Sequence, residues 1–133
     1  MLSKLTLFQS YSWQFKWFEN VNKKNLKNSL VIIKIYHKKK IIGIIPFEKR
    51  VLFNINTLHL TGNPFADYSD CLLDLDFFKI NQDAKIEVQN FLLNLNNVDL
   101  IMFDKIRDNS NLHSLFDKNF FVSKKFFSYQ LIN

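Results

Sequence analysis

The apolar residues of this chain fall into short runs with two different spacings, and the spacings divide it into helices and strands. Trp13, Trp17 and Val21 recur at i, i+4, which predicts a helix over residues 12–21 with Ser10 or Ser12 as its cap. The polar stretch 22–29 ends it. Residues 30–36 and 41–47 are rich in β-branched side chains, and His37-Lys38-Lys39-Lys40 joins them as a hairpin. Both runs are nearly apolar throughout, as expected of a sheet covered on both faces. Pro46 has no N–H to give to a ladder, so a bulge or a strand end is expected there.

Residues 51–60 read as a third strand, interrupted near Asn54-Ile55-Asn56. Gly62-Asn63-Pro64 dictates a loop, after which residues 70–74 return as a short strand. Ala84, Val88, Phe91, Leu92 and Leu95 form the clearest apolar stripe of the chain, a helix ended by Asn96-Asn97. A buried strand over 98–103, a short helix over 111–116 and one or two final strands over 120–131 complete the reading. A helix between two strands makes a right-handed crossover, so the strands near Asp70 and Val98 are expected to be parallel neighbours. The expected class is α/β: a mixed sheet with an antiparallel start, a parallel pair after a crossover helix, and helices on both faces.

Length and composition add limits. A chain of 133 residues, 47% hydrophobic and with 15 Phe, has room for one domain over 1–133 and material for a real core. No apolar run is long enough to span a bilayer: residues 30–36, the longest candidate, contain Lys34. The N-terminus has no long apolar segment with a cleavage site, and the single Cys71 excludes an intrachain disulfide, so the expected location is the cytoplasm. A net charge of +6 and a pI of about 9.4 raise the question of nucleic acid. The basic residues are mostly Lys (Lys23, Lys24, Lys27, Lys38, Lys39, Lys40, Lys49, Lys124 and Lys125 among them). Only two are Arg, the better residue for phosphate and base contacts, so the charge reads as solvated surface and nucleic acid is not the expected partner, with a basic nucleic-acid-binding module or a degenerate protein-interaction module as the alternative readings.

Four ordered segments carry a resemblance. Phe8-Gln9-Ser10-Tyr11-Ser12-Trp13 with Trp17-Phe18, then Ile41-Ile42-Gly43-Ile44-Ile45-Pro46-Phe47, then Leu58-His59-Leu60-Thr61-Gly62 with Asp67-Tyr68-Ser69-Asp70, and finally Val98-Asp99-Leu100-Ile101-Met102-Phe103 resemble the N-terminal half of CelD-like acetyltransferases. These are GNAT-type enzymes linked to cellulose and exopolysaccharide synthesis and related to the Fem-type tandem transferases. The resemblance implies a GNAT-like domain that is half of a larger acyltransferase acting on a small-molecule acceptor, a sugar or cell-envelope precursor. It implies that acyl-CoA is held by a C-terminal GNAT half and not by this chain. A GNAT site cradles pyrophosphate on a glycine-rich turn opening the crossover helix. Residues 76–84 have no Gly there, and Asp76 and Asp83 would repel phosphate.

Asn63, Asp67, Tyr68 and Asp70 lie on a loop after a strand, where α/β folds place ligands, and are the candidate acceptor-binding residues. As turn formers the two Asp would instead satisfy backbone N–H groups and Tyr68 would pack its ring. No catalytic base can be named. His37, His59 and His113 have no metal-ligand spacing with Cys71, which reads as a small core residue. Trp13, Trp17 and Phe18 read as core and not as a sugar platform. Phe120, Phe121, Phe126 and Phe127 are core or face a partner.

Overall fold

The computed structural model of the chain describes residues 7–22, 28–63 and 65–116. The expected strands over 120–131, Pro64 and the basic residues Lys23, Lys24, Lys27, Lys124 and Lys125 lie outside the described residues.

A single 3-10 turn, Leu7–Gln9, leads into helix α1, Tyr11–Trp17, which widens into a π-type turn over Phe18–Asn22. Ser10 is the cap: its hydroxyl accepts from the Trp13 N–H at 3.3 Å. Strands β1, Ser29–His37, and β2, Lys40–Leu52, form the expected hairpin, tightened to a two-residue turn at Lys38 and Lys39 with φ of 46° and 66°. Left-handed backbone at both central positions matches the twist of the paired strands, which outweighs its cost for non-glycine residues.

Two expectations are corrected here. Residues 51–60 are not one interrupted strand. Val51 and Leu52 end β2, Phe53 and Asn54 turn, and Ile55–Leu60 is β3, antiparallel to β2. Pro46 neither bulges nor ends its strand; it pairs with Ile32, and the irregularity falls at Ile42, which is left unpaired between the Ile35–Gly43 and Tyr36–Ile41 pairs. Pro46 is tolerated because its carbonyl, and so its missing N–H, points toward β3, at the place where β3 stops. The Thr61 N–H donates to the Pro46 carbonyl at 3.0 Å, and no return bond is needed beyond it.

Strand β4, Leu72–Leu73, lies in line with β3 along the same edge of β2. Leu60 stands opposite Phe47 and Leu72 opposite Ile44, so residues 61–71 leave the strand line as a loop and rejoin it. Helices α2, Leu75–Ile80, and α3, Gln82–Leu93, follow. Asp74 caps the first, accepting from the Phe77 N–H at 3.3 Å. Strand β5, Leu100–Met102, then pairs with β3 in parallel, and helix α4, Leu112–Leu115, closes the described chain. The sheet is therefore mixed and five-stranded, in the order β1-β2-β3-β5 with β4 also on β2. The expected pairing of the strand near Asp70 with that near Val98 does not form. Two-residue β4 occupies only the end of β2, and the longer free edge of β3 takes β5.

Alternation along the strands sets two faces. Phe47, Leu58 and Leu60 pack with Phe78, Val88, Leu92, Leu112, Leu115 and Phe116, so α2, α3 and α4 cover one side. On the other side Gln14 of α1 accepts from the hydroxyl of Thr61. The α3 stripe is only partly buried: Val88 and Leu92 are in the core, while Phe91 is exposed. No described helix is long and apolar enough to cross a membrane.

Candidate functional site

Strands β3 and β5 run in the same direction, and their C-terminal ends release the two loops that form the site, residues 61–71 and 103–111. The loops are laced together. Asn63 donates its side-chain amide to Asp104 at 2.7 Å, Lys105 donates its ammonium to the Ala66 carbonyl at 2.9 Å, and the Ser69 N–H donates to the Lys105 carbonyl at 3.2 Å. The Arg107 guanidinium lies 5.0 Å from the centre of the Tyr68 ring, within cation–π range. Gly62 makes the first turn possible. Its φ of +95° suits only glycine, and a Cβ there would stand 2.8 Å from the Trp13 ring.

The four candidate residues separate in this geometry. Asp70 is buried, and its carboxylate accepts from the Ser110 hydroxyl at 2.7 Å, from the Cys71 N–H at 2.8 Å, from the Asn111 N–H at 3.0 Å and from the Leu112 N–H at 3.3 Å. It fixes the start of α4 from forty residues away and has no face toward solvent. Asn63 bridges: its carbonyl accepts from Arg50 while its amide holds Asp104. Asp67 and Tyr68 are exposed on the rim, so the structure brings Asn63, Asp67 and Tyr68 to the surface of one loop and turns Asp70 inward.

Beneath the rim is a polar cluster on the face opposite the core. Glu48 and Arg50 of β2 stand opposite His59 and Thr57 of β3. Glu48 is fully buried, accepting from Asn28 and, at 2.8 Å, from Arg50. Thr57 donates its hydroxyl hydrogen to the Arg50 carbonyl at 3.2 Å, so in its 3.1 Å contact with His59 the imidazole Nε2 is the donor. His59 Nδ1 then faces Asp104 Oδ2 at 3.5 Å, too long for a hydrogen bond, and this contact attracts the carboxylate only when both ring nitrogens carry hydrogen. The His59 contact is the chief reason that the Asp104 carboxyl is held below its usual range. Asn63 and the charge of Arg50 help, and burial opposes. The Asp104 side chain is 35% exposed, so an ionised carboxylate is held in fixed orientation at the mouth of the two loops.

Sequence reasoning missed Glu48, Arg50, His59, Asp104 and Arg107. A signal existed. Thr57, His59 and Thr61 alternate with Leu58 and Leu60, a two-residue period of polar positions along β3 and into the residue after it, while on β2 Lys49 between Glu48 and Arg50 obscures it. Four of these, Glu48, Thr57, His59 and Thr61, are buried, which marks them as partnered. Cys71 is fully buried, and burial first, then the Asp70 charge, push its thiol well above the usual value, so it does not present a thiolate. Trp17 is buried and stacks on Trp13 with ring centres 6.3 Å apart.

The stretch that the resemblance would align with a pyrophosphate cradle is helical here. An open groove of about 400 Å³ lies beside it, lined by His37, Phe77, Asn81, Asp83 and Glu87 among others. Among the described residues no group of His, Cys, Asp and Glu is placed to hold a metal ion. Both Arg are engaged within the fold, Arg50 with Glu48 and Arg107 with Tyr68. Comparison of the chain with family models, with curated proteins and with solved structures finds no match.

Proposed function

We propose that this chain is the acceptor-binding, GNAT-like half of an acyl-CoA-dependent acyltransferase of the cytoplasm, acting on a sugar or cell-envelope precursor. One observation carries the reading. The parallel strands β3 and β5 send interlocked loops from their C-terminal ends, and these present Asp67 and Tyr68 to solvent beside Arg107 and the oriented carboxylate of Asp104. The open crevice outside the carboxyl ends of strands is where α/β sheets bind ligands. An ionised Asp can accept from a hydroxyl or amine of the acceptor, Tyr68 offers a ring face and a hydroxyl, and the Asn63 amide holds Asp104 in place. Asp70 contributes by fixing the loop and does not touch the acceptor.

The donor belongs, in this proposal, to a second GNAT half. Asp76 and Asp83 occupy the first turns of α2 and α3, where a GNAT site needs glycine and open backbone N–H groups for pyrophosphate. The chemistry asked of this chain is positioning, which can supply much of the barrier reduction in a direct transfer.

Amide-resolved NMR titration with amino sugars and short cell-wall peptides tests the reading. Shifts at Asn63, Asp67, Tyr68 and Asp104, lost in Asp67→Asn, are expected. Shifts confined to other parts of the surface would remove the acceptor site. Calorimetry with acetyl-CoA is expected to show no appreciable binding, and micromolar affinity would overturn the division of labour between the halves.

A further inference from the structure

The β2–β3 hairpin extends past the rest of the sheet. The last β1 pair is Ser29 opposite Lys49, and the first β5 pair is Leu100 opposite Thr57, so among the described residues 51–55 have strand partners only within the hairpin, Val51 with Asn56 and Leu52 with Ile55. The projecting sequence, Val51-Leu52-Phe53-Asn54-Ile55, carries no charge. Val51, Leu52 and Ile55 are 43–49% exposed, and Phe53 is 99% exposed. Successive residues of a strand face opposite sides, so the ribbon is apolar on both.

The turn repeats the left-handed pattern of Lys38 and Lys39, with φ +49° at Phe53 and +64° at Asn54, and the strand twist favours it in the same way. Asn accepts this backbone readily, whereas a bulky aromatic is a poor choice there and its 99% exposed side chain adds no packing in return. Nothing in the fold accounts for Phe at this position.

We propose that the 51–55 tip inserts into the interfacial layer of an anionic lipid bilayer. At about 3.3 Å per residue the projection reaches roughly 7–10 Å, the depth to which interfacial segments enter the boundary between headgroups and acyl chains. A convex finger that is uncharged and carries apolar side chains on both faces fits a medium that surrounds it, whereas a protein groove covers one face. The net charge of +6 adds attraction to an anionic leaflet; at the base of the finger stand Lys49 and Asp99, the carboxylate of the latter accepting from the Asn56 N–H at 2.7 Å.

Flotation of the full chain with phosphatidylcholine vesicles, with and without phosphatidylserine, tests this. The chain is expected to float with the anionic vesicles. Phe53→Asn, which suits the left-handed turn, should lower the partition about tenfold or more while leaving the melting temperature unchanged or higher. Equal flotation of this variant would mean that charge alone binds the vesicles, and the proposal would fall. It would also fall if the chain stayed with the buffer. A concentration-dependent dimer that Phe53→Asn dissolves, without vesicle binding, would overturn it in favour of a second copy covering the tip.

Discussion

Asp70 and Ser110, forty residues apart in the chain, share a buried hydrogen bond of 2.7 Å, and through it the loop that leaves β3 is joined to the first turn of α4. The Asp70 carboxylate takes four donors in all, three of them backbone N–H groups of Cys71, Asn111 and Leu112. Removing it strands those donors in the interior. Asp70→Ala is expected to cost about 3 kcal/mol or more by urea denaturation, since each unsatisfied buried group costs about 1–3 kcal/mol. Asp67→Ala, on the exposed rim, should stay within about 0.5 kcal/mol of the parent. Equal losses in the two variants would mean that the rim residue is a turn-former and not free to meet an acceptor.

Gly62 and Trp13 make a second long-range dependence. Gly62→Ala faces two costs, a left-handed backbone and a Cβ 2.8 Å from the Trp13 ring. The first is about 1–2 kcal/mol and persists whatever surrounds it. The second should vanish when the ring is removed. In a double-mutant cycle with Trp13→Ala, the Gly62→Ala penalty is expected to shrink by about 1 kcal/mol or more. An unchanged penalty would show that the ring does not press on the turn.

Trp17 separates a core role from a ligand role on the same helix. It is buried, while Trp13 is partly open. Trp17→Ala is expected to destabilise by about 3–5 kcal/mol. A stable Trp17→Ala variant would reopen the sugar-platform reading of the aromatic stripe.

The legible parts of this fold are those governed by local spacing. The i, i+4 tryptophans, the Ser10 cap, the β-branched hairpin and the Gly62 turn are each stated by a few adjacent residues. What escaped depends on partners distant in sequence. Pro46 in mid-strand is acceptable only because β3 stops beside it, and nothing near Pro46 in the chain announces that. The pairing of β5 with β3 follows from how little edge β4 offers. In the site, Asp67 and Asp70 look alike as residues three apart on one loop, yet one is exposed and the other is spent on α4. The His59–Asp104 contact joins the end of β3 to the loop after β5, so neither residue could name the other from spacing.

The acid limb of stability should report that same contact. Asp104 is held below its ordinary carboxylate range chiefly by His59, so its folded pKa is lower than its unfolded one. Such a group stabilises the fold fully at pH values above the unfolded value, about 4. Its contribution is lost as pH falls through the lower folded value, because the protonated acid then gains nothing from folding. Asp104→Asn removes the titration, and His59→Gln removes its main cause. Both variants are therefore expected to lose less stability than the parent between neutral pH and the region below pH 4, measured as the drop in urea midpoint. The double variant should behave as Asp104→Asn alone, since without the carboxylate there is no titration left for His59 to shift. If His59→Gln kept the full acid slope of the parent while Asp104→Asn flattened it, the carboxylate would owe its low value to Asn63 and Arg50. His59 would then be a core residue bonded to Thr57, with no part in orienting the site.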